Sequence, residues 1–186
     1  MIDVNQLRKG TTFTLDGQLY KVLKYSHNKP GRGKATIRVT VRNLRSGSTT
    51  EMTFNSGERV QDIRLEGRTV QFLYPDGEFY TFMDMSTYEQ PQMRSDVFGD
   101  DALYLKEGLE LKLVSYEGEI IDYELPTTID FEVVESEAAV QGDTANAPTK
   151  KVKTETGLEV QVPLFVNVGD VIRVNTETGE YVTRVS

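Results

Sequence analysis

The sequence predicts an all-β fold of three small barrels in tandem, and three observations carry that prediction. First, Thr36-Ile-Arg-Val-Thr-Val-Arg42, Leu109-Glu-Leu-Lys-Leu113 and Gly157-Leu-Glu-Val-Gln-Val162 alternate apolar and polar residues, the period of a strand with one buried face. Second, Asp16-Gly17, Asp76-Gly77 and Glu117-Gly118 stand between β-prone runs, where such pairs form hairpin turns. Third, one pattern recurs: a Gly, an apolar residue three positions on, another five on, then a turn Gly. It appears as Gly10/Phe13/Leu15/Gly17, Gly108/Leu111/Leu113/Gly118 and Gly169/Ile172/Val174/Gly179, which suggests three units, each entered at a Gly and closed in a hairpin. Helix signals are confined to a turn or two between Asp96 and Lys106.

The units are expected at residues 1–64, 65–128 and 129–186. A shift in charge near Arg64-Leu-Glu66 marks the first boundary. Leu125-Pro-Thr-Thr128 marks the second, because Pro cannot donate to a sheet ladder. Units of about 60 residues suit small closed or partly open barrels. Within the third, the polar stretch from Glu135 to Lys153 reads as a long loop.

Charge is unevenly placed along the 186 residues. The formal net charge of −8 argues against a nucleic-acid partner, yet the segments disagree. Residues 1–64 carry +7, residues 65–128 carry −10 and residues 129–186 carry −5. Such a split fits a molecule that presents only its first third to an RNA-rich site, with acidic remainders that face protein or touch RNA locally. The absence of Cys excludes a disulfide framework, thiolate metal sites and a cysteine nucleophile. The start lacks the apolar core of a signal peptide and no aliphatic run is long enough to span a bilayer, so a soluble, cytoplasmic chain is expected.

The segment His27-Asn-Lys-Pro-Gly-Arg-Gly-Lys-Ala35 lies between the run Gln18–Tyr25 and the strand beginning at Thr36, so it must be a hairpin tip. Pro30, Gly31 and Gly33 permit unusual backbone geometry, and the glycines strip side-chain bulk from both sides of Arg32. Lys29, Arg32 and Lys34 add three positive charges with no acid beside them. A slim cationic finger of this kind can enter a narrow phosphate-lined cleft. It is not a Walker loop, because Asn28 stands where the first Gly is needed and Ala35 where a Mg²⁺-binding hydroxyl belongs. On these nine residues alone, a solvated glycine-rich turn is an equal reading.

The Lys29-Pro-Gly-Arg-Gly33 loop in a basic N-terminal unit resembles the bacterial elongation factor P family. So do Glu155-Thr-Gly157, Val162-Pro-Leu-Phe-Val166, Gly169-Asp-Val-Ile-Arg-Val174 and Asn175-Thr-Glu-Thr-Gly-Glu-Tyr181. The resemblance runs end to end. It implies a KOW/SH3-like barrel followed by two OB-fold barrels, and a monomeric translation factor with no cofactor, no metal and no membrane association. It further implies binding to the 70S ribosome between the P and E sites, relief of stalling at consecutive prolines, and a loop aimed along the acceptor end of the P-site peptidyl-tRNA toward the peptidyl-transferase centre. Lys29, Pro30, Gly31, Arg32, Gly33 and Lys34 form that loop, with Arg32 at its tip. Relatives carry a modified Lys or a glycosylated Arg there, which makes Arg32 a candidate for an Arg-modifying enzyme. The resemblance also places Gly142, Asp143 and Thr144 near the mRNA codon of the E site, and Tyr181 and Arg184 at a ribosome or RNA contact. Tyr181 serves equally as a packed hairpin aromatic.

Two competing readings belong to other classes. A hydrolase would need a partner for the lone His27, and none is adjacent; the pair Asp100-Asp101 on an acidic surface reads as solvated. A generic OB-fold RNA-binding module would show basic grooves in the second and third units, and those units are acidic. Within the family, a paralogue that differs at the loop is the nearest alternative.

Overall fold

The structure is a computed structural model and describes residues 1–138 and 148–186. By contacts the chain divides into two compact units. One comprises Met1–Gly67 with Val114–Asp122, the other Arg68–Leu113 with Tyr123–Ser186.

The first unit is built on β1 (Ile2–Asp3), β2 (Thr12–Leu15), β3 (Gln18–Asn28), β4 (Thr36–Asn43), β5 (Thr49–Asn55) and β6 (Arg59–Asp62), in the sheet order β1-β6-β2-β3-β4-β5. The alternation read in β4 is physical: Ile37, Val39 and Val41 are fully buried while Arg38, Thr40 and Arg42 face outward. These three join Val4, Leu7, Phe13, Val22, Phe54 and Val60 in one core.

Two five-stranded sheets follow. The first holds β7 (Glu66–Asp76), β8 (Phe79–Asp84), β9 (Gln92–Arg94), β10 (Glu110–Tyr116) and β11 (Glu119–Glu124), in the order β11-β10-β7-β8-β9. The second holds β12 (Thr128–Ser136), β13 (Thr149–Thr154), β14 (Glu159–Pro163), β15 (Val171–Asn175) and β16 (Tyr181–Arg184), in the order β14-β13-β12-β15-β16. Counted from its own first strand, each sheet has the same connectivity, that of a small five-stranded barrel. Where one or two helical turns were expected, Ser95–Val97 and Gly99–Tyr104 form 3₁₀ turns between β9 and β10. Short non-strand links lie at residues 63–65 and 125–127.

The recurring glycine has a common structural role. Gly10 donates its N–H to the Val22 carbonyl (2.8 Å) and Val22 donates back to Thr11 (2.9 Å). Gly108 and Leu109 bracket Phe72 in the same way, at 2.9 and 2.8 Å, and Gly169 and Asp170 bracket Val133, at 2.8 and 2.9 Å. All three glycines take left-handed φ values of 83 to 94°. The register of the long strand shifts just after each bracketed residue, between Val22 and Lys24, Phe72 and Tyr74, and Val133 and Glu135. A bulge at that point bends the strand so that its two halves can serve different sides of a barrel.

Two expectations need correction. Asp16-Gly17 and Glu117-Gly118 are two-residue turns with both φ values positive, but Asp76 is the last residue of β7. Its partner is Phe79, so the turn is Gly77-Glu78. The bulge at Leu73 inserts one residue into β7 and moves the turn along by one. Likewise the stretch from Glu135 to Lys153 is not all loop: Glu135 pairs with Lys153 and Ser136 with Val152 across β12 and β13. Alternating charge on their outer faces, as in the Lys153–Glu135 pair at 3.8 Å, gives these strand ends a loop-like composition.

Candidate nucleic-acid interface

The loop grows from the longest hairpin of the first unit. β3 and β4 pair from Tyr20↔Asn43 out to Asn28↔Thr36, and Ile37, next to the closing residue Thr36, is the outermost core residue of β4. His27 and Asn28 are therefore strand residues, and residues 29–35 form the link, with Arg32 at its middle. Every residue from Ser26 to Lys34 is exposed. Gly33 has φ of 120°, a conformation that L side chains rarely adopt. Gly31 has no such requirement and a Cβ there would meet open space, so nothing in the chain itself explains its lack of a side chain.

Electrostatics separate this loop from the rest of the basic third. Arg38 pairs with Glu51 (3.1 Å), Arg45 with Glu119 (3.3 Å), and Lys21 and Arg42 converge on the buried Asp122 at 3.1 and 3.0 Å. Arg8 stacks on Tyr25 at 4.7 Å and donates to the Asn5 and Leu7 carbonyls. Lys29, Arg32 and Lys34, with Lys24 below them, have no ion pair or side-chain hydrogen bond among the described residues. The positive charge left uncompensated along the β3–β4 hairpin is thus concentrated toward its tip. A guanidinium there keeps its charge, its five donors and both faces available for phosphate or a base.

The other expected site residues lie elsewhere. Tyr181 opens β16, is half-buried and pairs with Val174. Arg184, three residues on, sits over the ring of Phe165 at 4.9 Å and 3.7 Å from Asp170. Phe165 is itself 55% exposed. This exposed ring and cation were not read together in the sequence; the only signal was an unusual Phe inside Val162-Pro-Leu-Phe-Val166. Gly142, Asp143 and Thr144 lie outside the described residues. Asp100 is exposed while Asp101 accepts a 2.6 Å hydrogen bond from the Tyr123 hydroxyl, so the acidic pair is divided.

Comparison with known proteins identifies the family. Residues 3–60 match the family model described as elongation factor P (EF-P) KOW-like domain, residues 65–123 the elongation factor P (EF-P) OB domain, and residues 129–184 elongation factor P, C-terminal. Elongation factor P of Coprothermobacter proteolyticus is 49% identical over all of both chains, and that of Pelotomaculum thermopropionicum 44% identical, again over all of both. The chain belongs to the elongation factor P family. It is accordingly a translation elongation factor, and its fold is the KOW-like barrel with two OB-type barrels that the sequence predicts. A solved structure of eukaryotic translation initiation factor 5A from Methanococcus jannaschii shares the fold over 67% of this chain and 93% of its own, with a TM-score of 0.50 at 22% identity. No helix of the described residues is long and apolar enough to cross a membrane.

Proposed function

We propose that this elongation factor P family member binds the 70S ribosome between the P and E sites and stimulates peptide-bond formation at consecutive prolines. The single observation that supports it most is the exposed loop of residues 29–35, whose three cations have no ion pair or side-chain hydrogen bond among the described residues, on one slim hairpin end. Proline is a poor partner in peptide transfer because its ring fixes φ and its amine is secondary. A factor can overcome that without chemistry of its own. Holding the acceptor end of the peptidyl-tRNA in a productive position removes wasted freedom, and orientation effects of this kind reach about 7–11 kcal/mol at their upper end.

In this reading Arg32 contacts the tRNA end, with or without modification by a host enzyme, and Lys29 and Lys34 attract phosphate around it. Gly142, Asp143 and Thr144 approach the E-site codon, and Tyr181 and Arg184 touch ribosomal RNA or protein. The barrels act as domains of residues 1–64, 65–128 and 129–186, in a cytoplasmic monomer. The test is reconstituted translation of a Pro-Pro-Pro message with and without the protein. Several-fold more full-length product with the factor is expected; equal product removes the reading.

A further inference from the structure

Among the described residues one hairpin loop occurs three times, and one copy breaks its own rule. In the first unit Asn43 opens a six-residue loop. Its carboxamide oxygen accepts from the N–H groups of Arg45 (2.9 Å) and Ser46 (3.1 Å), its carbonyl accepts from Gly47 (2.8 Å), its N–H donates to Ser48, and Ser48 donates to the Ser46 hydroxyl. Asn175 organises Glu177, Thr178, Gly179 and Glu180 by the same five bonds. Asp84 does so again with Ser86, Thr87, Tyr88 and Glu89. The fifth position must take a left-handed φ: 77° at Gly47, 73° at Gly179 and 62° at Tyr88. Glycine does this freely, whereas for a bulky ring it is a strained outlier. The fold has therefore shown twice which residue suits it there, and at residue 88 carries a tyrosine instead.

That tyrosine contributes no bond in return. Tyr88 is 71% exposed and its side chain has no hydrogen bond, ring contact or ion pair among the described residues. Strain retained at an exposed aromatic points to a contact outside the chain. Charge decides the kind of partner. Asp76 and Glu78 lie at the far end of β8; in the loop itself Asp84 and Glu89 are the charged side chains, and Arg68 pairs with both, at 3.4 and 3.5 Å. A phosphate-rich surface is disfavoured by a segment, residues 65–128, that carries −10, while a Lys or Arg side chain gains the exposed face of the ring.

We propose that Tyr88 docks on a Lys- and Arg-bearing protein surface of the ribosome, a contact that rests on the ribosome-binding reading above. Tyr88→Gly is the decisive variant, because it copies Gly47 and Gly179 and removes the left-handed strain. Its melting temperature is expected to equal or exceed that of the wild type, while its affinity for purified 70S ribosomes falls about tenfold. Tyr88→Phe, which keeps the ring, should stay within about threefold of wild type. A photo-crosslinking amino acid in place of Tyr88 should join ribosomal protein. A lowered melting temperature in Tyr88→Gly would make the ring a structural element and overturn the proposal, as would crosslinks falling on ribosomal RNA. Normal wild-type binding with no loss in Tyr88→Gly overturns this contact alone. Failure of the wild type to bind ribosomes overturns the ribosome reading and the contact with it.

Discussion

Arg32 and Lys34 are two residues apart on one loop, both exposed and both without a partner among the described residues, yet their positions differ. Arg32 is the middle of the link that the pair Asn28↔Thr36 closes, while Lys34 is already returning to β4. Long-range attraction of phosphate is shared by both, but reach and a fixed fork of donors belong to the residue at the tip. Arg32→Ala is expected to remove most stimulation of Pro-Pro-Pro synthesis while changing unfolding free energy by no more than about 0.5 kcal/mol, as exposed substitutions do. Arg32→Lys should be impaired as well unless the host modifies the new amine. Lys34→Ala should weaken binding mildly and mainly as salt is raised, because its part is a screened long-range one. Proline-run synthesis measured for all three variants would sink the assignment if Lys34→Ala proved the inactive one.

At the level of elements, the loop-bearing hairpin is held at its base by one carboxylate. Lys21 on β3 and Arg42 on β4 face each other in register, and both reach Asp122, whose side chain is only 7% exposed. Ile121 beside it packs with Leu19 and Leu44. Asp122→Ala would leave two cations facing each other with no anion between them. Each is about a third exposed and can turn to water, so the expected loss is about 1–3 kcal/mol rather than the full cost of a stranded buried charge. Urea unfolding of the variant measures it, and an unchanged midpoint would show that the carboxylate is solvated in solution. This clasp was not legible in the sequence, because Asp122 lies 80 residues from Arg42 and 101 from Lys21 and a carboxylate in an acidic segment has no local mark. The local features were legible: β4 alternates because one face is core, and the cationic loop could be read because its turn residues and charges are contiguous. The glycine recurrence pointed correctly to Gly10, Gly108 and Gly169, since a left-handed residue is a local demand. The loop at Asp84–Glu89 escaped for the converse reason: Tyr88 occupies the position where the pattern calls for glycine.

Among the described residues, Asp3, Asp84 and Asp130 are carboxylates held below their ordinary value, and they tie stability to pH in one direction. Asp84 is held below the ordinary value of 3.8 by the N–H groups of Thr87 and Ser86, with Arg68 adding to them. Asp130 is held below it by the hydrogen bond from Arg173 at 2.9 Å and by the charges of Arg173 and Lys106. The folded protein binds these protons less readily than the unfolded chain, so their contribution is complete above about pH 5 and is lost as pH falls through 3.8 and below. The melting temperature should therefore drop from pH 5 to pH 3, and more gently in Asp84→Asn than in the wild type; parallel slopes would contradict this. The shared connectivity of β7–β11 and β12–β16 has a consequence for the chain while it is still being made. A growing polypeptide with two successive sheets of one design can lay a strand into the wrong one, the usual failure of tandem arrays. The interiors guard against that error. One holds the rings of Phe72, Phe82 and Phe98 beside Val70, Leu111 and Leu113; the other, around Phe131, holds mainly the smaller Val133, Val152, Val160, Val162, Ile172 and Val174. An exchanged strand would leave a void in the first or overfill the second, so unequal side-chain volumes act as an assembly check where identical topology gives none.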